Sequence, residues 1–319
     1  MPKFQRRLSK HLEKVLQSYS DAYTQRMYEA DARDAPNSPL FHYTTWAGFE
    51  GIMRSRSFWF TSIEQMNDAT ELTYGFSIAT RLLQIAMFHA SGTQPADWLV
   101  RQFCEPLVQP GNLAGIRGRF EFYSASFGRA DEPHQWEQYG DHRRGIAIGL
   151  SERLFTPTYQ PHAAPHEHHF MGRVVYDPAR CEAQHRRPIQ HALDTLTMEA
   201  QRETIPSGAQ AAEFCRRLAS EMHIPVLWNS ITTKERKWEP ERETRLIALN
   251  DRVSPKLPVH LRPIGGQRYV VIPMPLFDPG TVTEVMVGPD ADADAERQVQ
   301  ALLGSLGMSP LPPITRSGR

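Results

Sequence analysis

The sequence predicts an α+β fold with small mixed and antiparallel sheets and flanking helices. Short stretches with strand character, among them "LFHYT", "SFWFT", "FEFYSASFG" and "RGIAIGL", recur along the chain. Longer amphipathic stretches separate them at irregular intervals. Several strand candidates follow one another at hairpin distance, which fits α+β better than a doubly wound parallel sheet.

Residues 4–33 read as one helix, with Phe4, Leu8, Leu12, Val15 and Leu16 on one face and Arg6, Arg7, Lys10 and Lys14 elsewhere. "RDAPNSP" breaks it. A strand over Leu40 to Tyr43 leads to a helix capped at Thr44 or Thr45. A second strand, Ser57 to Thr61, sends Phe58 and Phe60 one way and Trp59 and Thr61 the other. Core packing is the ordinary reading of those aromatics; a stacking platform for a base or nicotinamide ring is the sharper one. After a polar turn at Asn67-Asp68, residues 69–90 form an amphipathic helix with Leu72, Phe76, Ala79, Leu83 and Met87 inward. Another helix covers 96–108. "FEFYSASFG" alternates as a strand, "HQWEQYG" is a short helix or turn, and "RGIAIGL" and "FMGRVVYD" are strands. Helices near 189–203 and 208–222 precede strands at 243–249, 268–273 and 282–287. "GPDADAD" opens a last helix over 291–306. The expected organisation is a helical extension (1–36), a single α+β catalytic-type domain (37–308) and a flexible Pro-rich tail (309–319).

The 36 basic and 36 acidic residues cancel, so no global field favours nucleic acid or membrane. No apolar run approaches the roughly 18 residues of a membrane span, and the N-terminus lacks the apolar core of a secretory signal. Cys104, Cys181 and Cys215 are too scattered for a zinc knuckle or a disulfide framework. They read as free thiols in a reducing cytoplasm.

The densest chemistry lies in "KWEPERETRLIALN". A strand starting near Glu241 would put Glu241, Glu243 and Arg245 on one face, able to stabilise a cation-like transition state. The plainer reading is an ion-pair ladder on an edge strand. "FHYTT" places His42, Tyr43 and Thr44 at a strand–helix junction, where sites are commonly lined. "PHAAPHEHHF" puts His166 and His168 on one side of a strand, within reach of a metal, although the segment reads more simply as a solvated loop. No Walker loop or GxGxxG is present.

These motifs, in this order, resemble the bacterial family known as domain of unknown function 2971. The resemblance rests on the opening run with Trp59, Phe60, Ser62, Asn67, Asp68 and Glu71. It continues through Ser126, Phe127, Gln135, Trp136, Tyr139 and Gly145, then "KWEPERETRLI" and "VTEVMVGPDAD". It spans about Leu40 to Met308. Gly128 departs from the Ser common there, which removes a polar group, and Thr244 replaces a common aromatic. The family's strands are in turn similar to those of the ADP-ribosyltransferase superfamily, including toxin-like and phage-defence members. That similarity implies an ADP-ribosyltransferase-like core and an enzyme cleaving NAD as its substrate. Glu243 is then the catalytic acid and Glu241 orients the acceptor. His42, Tyr43 and Thr44 hold ribose and nicotinamide, and Arg245 or Arg56 the phosphates. Phe60, Ser62 and Asn67 complete the NAD contacts, and Ser126, Trp136 and Tyr139 support the site. The acceptor, protein or nucleic acid, is open. Two rivals remain: a non-enzymatic module binding nucleic acid or protein through a Trp136–Tyr139 surface and the basic N-terminal helix, and a metal-dependent hydrolase using Asp68, Glu71 and the His166–His169 segment.

Overall fold

The computed structural model describes residues 8–33, 36–65, 70–90, 92, 94–109, 120–155, 169–205, 208–252, 254–263 and 265–318. The chain divides into two compact units. One is Met1–Met27, Asp68–Arg119 and Val175–Arg236; the other is Tyr28–Asn67, Phe120–Val174 and Lys237–Arg319. The chain thus leaves and re-enters each unit, and the division differs from the extension, domain and tail expected from sequence. The described architecture is α+β, with one mixed and one antiparallel sheet.

The first unit is helical. It holds the first part of α1 (Lys10–Arg33), with α3 (Thr70–His89), α4 (Pro95–Val108), α6 (Pro178–Gln201) and α7 (Ala209–Ile231). Leu12, Leu16, Tyr19 and Tyr23 recur at helical spacing on α1 and enter the core with Leu83, Phe103, Leu196 and Phe214. Helix α1 is therefore a core element rather than an appended extension. Tyr19 donates to the carbonyl of Pro188 at 2.9 Å and Tyr23 to that of Arg187 at 3.2 Å. At Gly75 an added Cβ would lie 2.5 Å from the Ser230 Cα, so glycine is what lets α3 approach α7 this closely.

Helix α6 starts eleven residues before the expected position 189, capped by Asp177, whose carboxylate accepts from the Arg180 amide at 2.9 Å. The early start was hidden because Pro188 lies inside the helix, where proline usually breaks it. Pro188 has no amide to give the Gln184 carbonyl one turn back. The Asn229 side chain of α7 donates to that carbonyl instead, at 2.9 Å. Helix α7 likewise runs through Pro225 to Ile231, past the expected end.

The second unit packs two sheets on a shared core. A four-stranded sheet has the order β1 (Leu40–Thr44), β4 (Ile146–Leu150), β9 (Val282–Val287), β10 (Ile314–Arg316). A six-stranded sheet has the order β5 (His169–Arg173), β6 (Thr244–Asp251), β3 (Phe120–Phe127), β2 (Ser57–Ser62), β8 (Arg268–Pro273), β7 (Val259–Leu261). All pairings are antiparallel except β9–β10. Alternation sends Ile146, Ile148, Val285 and Val287 from the first sheet and Phe58, Phe60, Tyr123, Ala125, Leu246 and Val270 from the second into one core. Helices α2 (Trp46–Ser55) and α8 (Ala295–Ser305) add Phe49, Met53, Val299 and Leu303. Thr45 caps α2, its hydroxyl accepting from the Gly48 amide at 3.1 Å.

The two sheets meet where Phe41 and Gly128 exchange backbone hydrogen bonds of 2.9 and 2.8 Å. The expected tail carries β10, and Arg316 binds Glu296 through two nitrogens and the carbonyls of Ala291 and Asp292. Those carbonyls precede α8, and the fold brings Arg316 to them from β10.

Candidate functional site

The two acids of "ERE" do not share a strand face. Residues Arg236–Glu241 form a 3-10 turn, and Arg242 adopts a left-handed conformation with φ of 45°. Strand β6 begins only at Thr244. The left-handed residue turns the chain between the acids, so each carboxylate meets a different set of partners.

Glu243 is 4% exposed and Arg245 1%. Glu243 lies just ahead of the strand and Arg245 within it, two residues on. The guanidinium donates from Nε to Glu243 Oε1 at 2.7 Å and from Nη2 to Oε2 at 2.9 Å, a bidentate pair. The Ser126 hydroxyl donates to the same Oε1. Ser126 faces Arg245 across the β3–β6 ladder, so sheet register builds this contact. On the other side of Ser126, its carbonyl accepts from His42 Nδ1 at 3.0 Å. A carbonyl can only accept, so Nδ1 carries the proton and Nε2 is the acceptor of the ring. Burial pushes the His42 imidazole below its ordinary pKa, against the opposing effect of that hydrogen bond. His42 packs edge-on to Phe58, with centroids 5.0 Å apart. The structure therefore brings His42, Ser126, Glu243 and Arg245 together around one serine.

Glu241 is held separately. Its carboxylate accepts from the Tyr139 hydroxyl at 3.1 Å and its carbonyl from Gln135 Nε2 at 2.7 Å. Gln135 lies in helix α5 (Pro133–Gln138) and Tyr139 just after it, so "QWEQY" grips the turn that carries the acids. Trp136, between them, is fully buried, stacks edge-on to Tyr43 at 4.9 Å and donates to Asp131 at 3.0 Å. Its surroundings are packing, not an open surface. Gly128 is explained here too: a Cβ would come within 3.1 Å of the Gln135 side chain. The Ser expected at that position would press on the residue that holds Glu241.

The remaining sequence-predicted contacts scatter. Tyr43 faces away from His42, donating to the Arg129 carbonyl at 2.6 Å and accepting from the Glu132 amide at 2.9 Å. Burial raises its phenol well above the ordinary range. Thr44 pairs with Ile146 and is half-buried. Arg56 ends α2 in a left-handed conformation, its guanidinium 4.2 Å from the centroid of Phe277. Strand alternation turns Phe60 and Ser62 inward, and Phe60 is wholly buried in the core. Trp59, 45% exposed, is the aromatic that β2 presents outward. Asn67, Asp68, His166 and His168 lie outside the described residues, and the side chains of Glu71 and His169 are likewise undescribed. Sequence reasoning missed Gln135 as a positioning group. Its four-residue spacing to Tyr139 was the available signal.

Residues 135–246 match the family described as "Protein of unknown function (DUF2971)". The match covers a minority of the 319 residues and supports the family resemblance drawn from the motifs. It opens at Gln135 and closes just past Arg245, so the two ends of the DUF2971 segment are the motifs that touch. No curated protein and no solved structure matches the chain.

A groove of about 770 Å³ between α4 and α7 lies in the other unit, lined by Phe103, Leu107 and Cys215. Burial pushes the Cys215 thiol up to about 12, so that groove offers no activated nucleophile. Among the described residues no helix is long and apolar enough to cross a membrane.

Proposed function

We propose that the sheet unit binds NAD and cleaves its nicotinamide–ribose bond, in the manner of ADP-ribosyltransferases. The observation that supports this most is the convergence of His42 and Glu243 on Ser126. Cleavage at the ribose anomeric carbon develops positive charge there, and a fixed carboxylate stabilises it without reorganising. Ser126 and Arg245 fix Glu243 in this way. Neutral His42, an acceptor at Nε2, suits a ribose hydroxyl as donor. Glu241, two residues before Glu243 and steadied by Tyr139 and Gln135, is the group that orients an acceptor. A toxin or defence setting follows from the family resemblance alone.

The test is nicotinamide release from NAD by the purified chain, followed chromatographically, alongside an NAD-dependent rise in melting temperature. Glu243→Gln, assayed on protein shown to be folded, should lose roughly a hundredfold or more in rate. His42→Ala should weaken NAD binding more than it slows turnover. A folded wild-type chain that neither releases nicotinamide nor gains stability with NAD would sink the reading.

One observation favours a second reading, a purely structural clamp: both oxygens of Glu243 are occupied and the pair is almost fully buried. Under it, Glu243→Gln lowers stability and wild-type protein shows no response to NAD.

A further inference from the structure

The outer side of the six-stranded sheet carries a ladder of rings that the core does not use. Tyr269 on β8 stacks on Trp59 of β2 at 4.4 Å and on His260 of β7 at 5.3 Å. Three strands thus contribute one continuous stack. Its middle ring is buried, and its ends, Trp59 and His260, are exposed. The Arg262 guanidinium lies 5.7 Å from the Trp59 ring and donates from Nη2 to the Thr61 hydroxyl at 3.2 Å. Its Nε–H has no acceptor among the described residues.

The segment that carries β7 and β8 is basic. From Arg252 to Phe277 the sequence has Arg252, Lys256, Arg262 and Arg268 and not one Asp or Glu. Arg252 and Arg268 are taken by Glu64 and Glu121. Arg262 makes no ion pair among the described residues and stands beside the rings. An exposed aromatic stack with an adjacent unneutralised guanidinium suits planar bases joined by phosphates. In a duplex the base faces are already stacked on one another, so only an unpaired strand can extend the ladder. The exposed aliphatic residues of β7, Val259 and Leu261, alternate to the opposite side from His260 and take no part in the stack.

We propose that this platform binds single-stranded nucleic acid, its bases continuing the stack at Trp59 or His260 and a phosphate meeting Arg262. The proposal does not rest on the NAD reading. It also moves the nucleic-acid surface away from Trp136, which the fold buries.

The experiment is fluorescence anisotropy of labelled single strands of about 12 nucleotides, deoxythymidine and uridine homopolymers, titrated with the full chain at about 50 mM salt. Binding should weaken steeply as salt rises. Trp59→Ala and Arg262→Gln should each weaken it roughly tenfold while keeping the wild-type melting temperature. A duplex of equal length should bind at least tenfold more weakly. Absence of wild-type binding at low salt overturns the proposal. So does equal affinity for the duplex, or an unchanged affinity in both variants. Complete competition by mononucleotide at equal nucleotide concentration overturns it in favour of a free-nucleotide site.

Discussion

Glu243 shows how one residue's setting changes what a substitution means. Read as a strand-head acid, it invites a Glu243→Gln test that leaves the fold intact. The structure places it in a buried bidentate pair, and removing one partner strands a buried guanidinium. We expect Glu243→Gln to cost about 3 kcal/mol or more in chemical denaturation. The double change Glu243→Leu with Arg245→Met should cost less than Glu243→Gln alone, because no unpaired charge then remains. If the single change is neutral, the pair is looser than its geometry indicates. Arg242 carries a second expectation. A non-glycine residue at φ of 45° is strained, so Arg242→Gly should stabilise by about 0.5 kcal/mol in urea titration. A loss of stability would mean that the Arg242 side chain holds the turn. The acids, the arginine and the serine were legible as residue types. Their partners were not, because one left-handed residue decides which way each acid points.

At the scale of elements, patterning did well wherever it repeats. The alternation of "SFWFT" corresponds to β2, and the three strands at 268–273, 282–287 and 243–249 to β8, β9 and most of β6. Helix α3 lies within a residue of its expected limits. Failures share a cause: local signals outvoted by distant partners. Pro188 reads as a breaker, yet the helix passes through it because Asn229 takes over the carbonyl that proline leaves unpaired. We therefore expect Asn229→Ala to destabilise by about 1 kcal/mol. In Pro188→Ala protein the helix supplies its own amide, so the same change should cost clearly less. Equal costs in a double-mutant cycle would show that the two residues are uncoupled. Strand β7, three exposed residues long, had no hydrophobic pattern to announce it.

For the whole molecule, the sharpest expectation concerns acid. His185 is fully buried, neither ring nitrogen has a hydrogen-bond partner among the described residues, and burial pushes it down to about 4. In the unfolded chain the same imidazole titrates near the ordinary value of about 6.5. Between these values the unfolded state holds the extra proton, so stability rises with pH there. Full stability from this group is present above about pH 6.5 and is lost progressively as pH falls toward 4, amounting to about 3 kcal/mol. His185→Leu should flatten that slope in melting temperature between about pH 6.5 and 4.5; an unchanged slope would assign it to other groups. The C-terminal segment carries a second expectation. Ending the chain before Ile314 removes β10 and the Arg316 contacts, and should lower the melting temperature rather than leave it unchanged as for a loose tail.

By itself the sequence determined the class of fold, most of the strands and helices, and the motifs that carry charge and aromatic surface. These are readable because periodicity, caps and turn residues act within a few positions of one another. Tertiary structure alone decided three things. It made two units of a chain that crosses between them repeatedly. It tied "QWEQY" to "ERE" across about a hundred residues, and it drew His42 and Glu243 to one serine. Those contacts depend on sheet register and on the direction of a single left-handed turn. Such quantities are set by the packing of distant strands and leave no local trace in the residues that obey them.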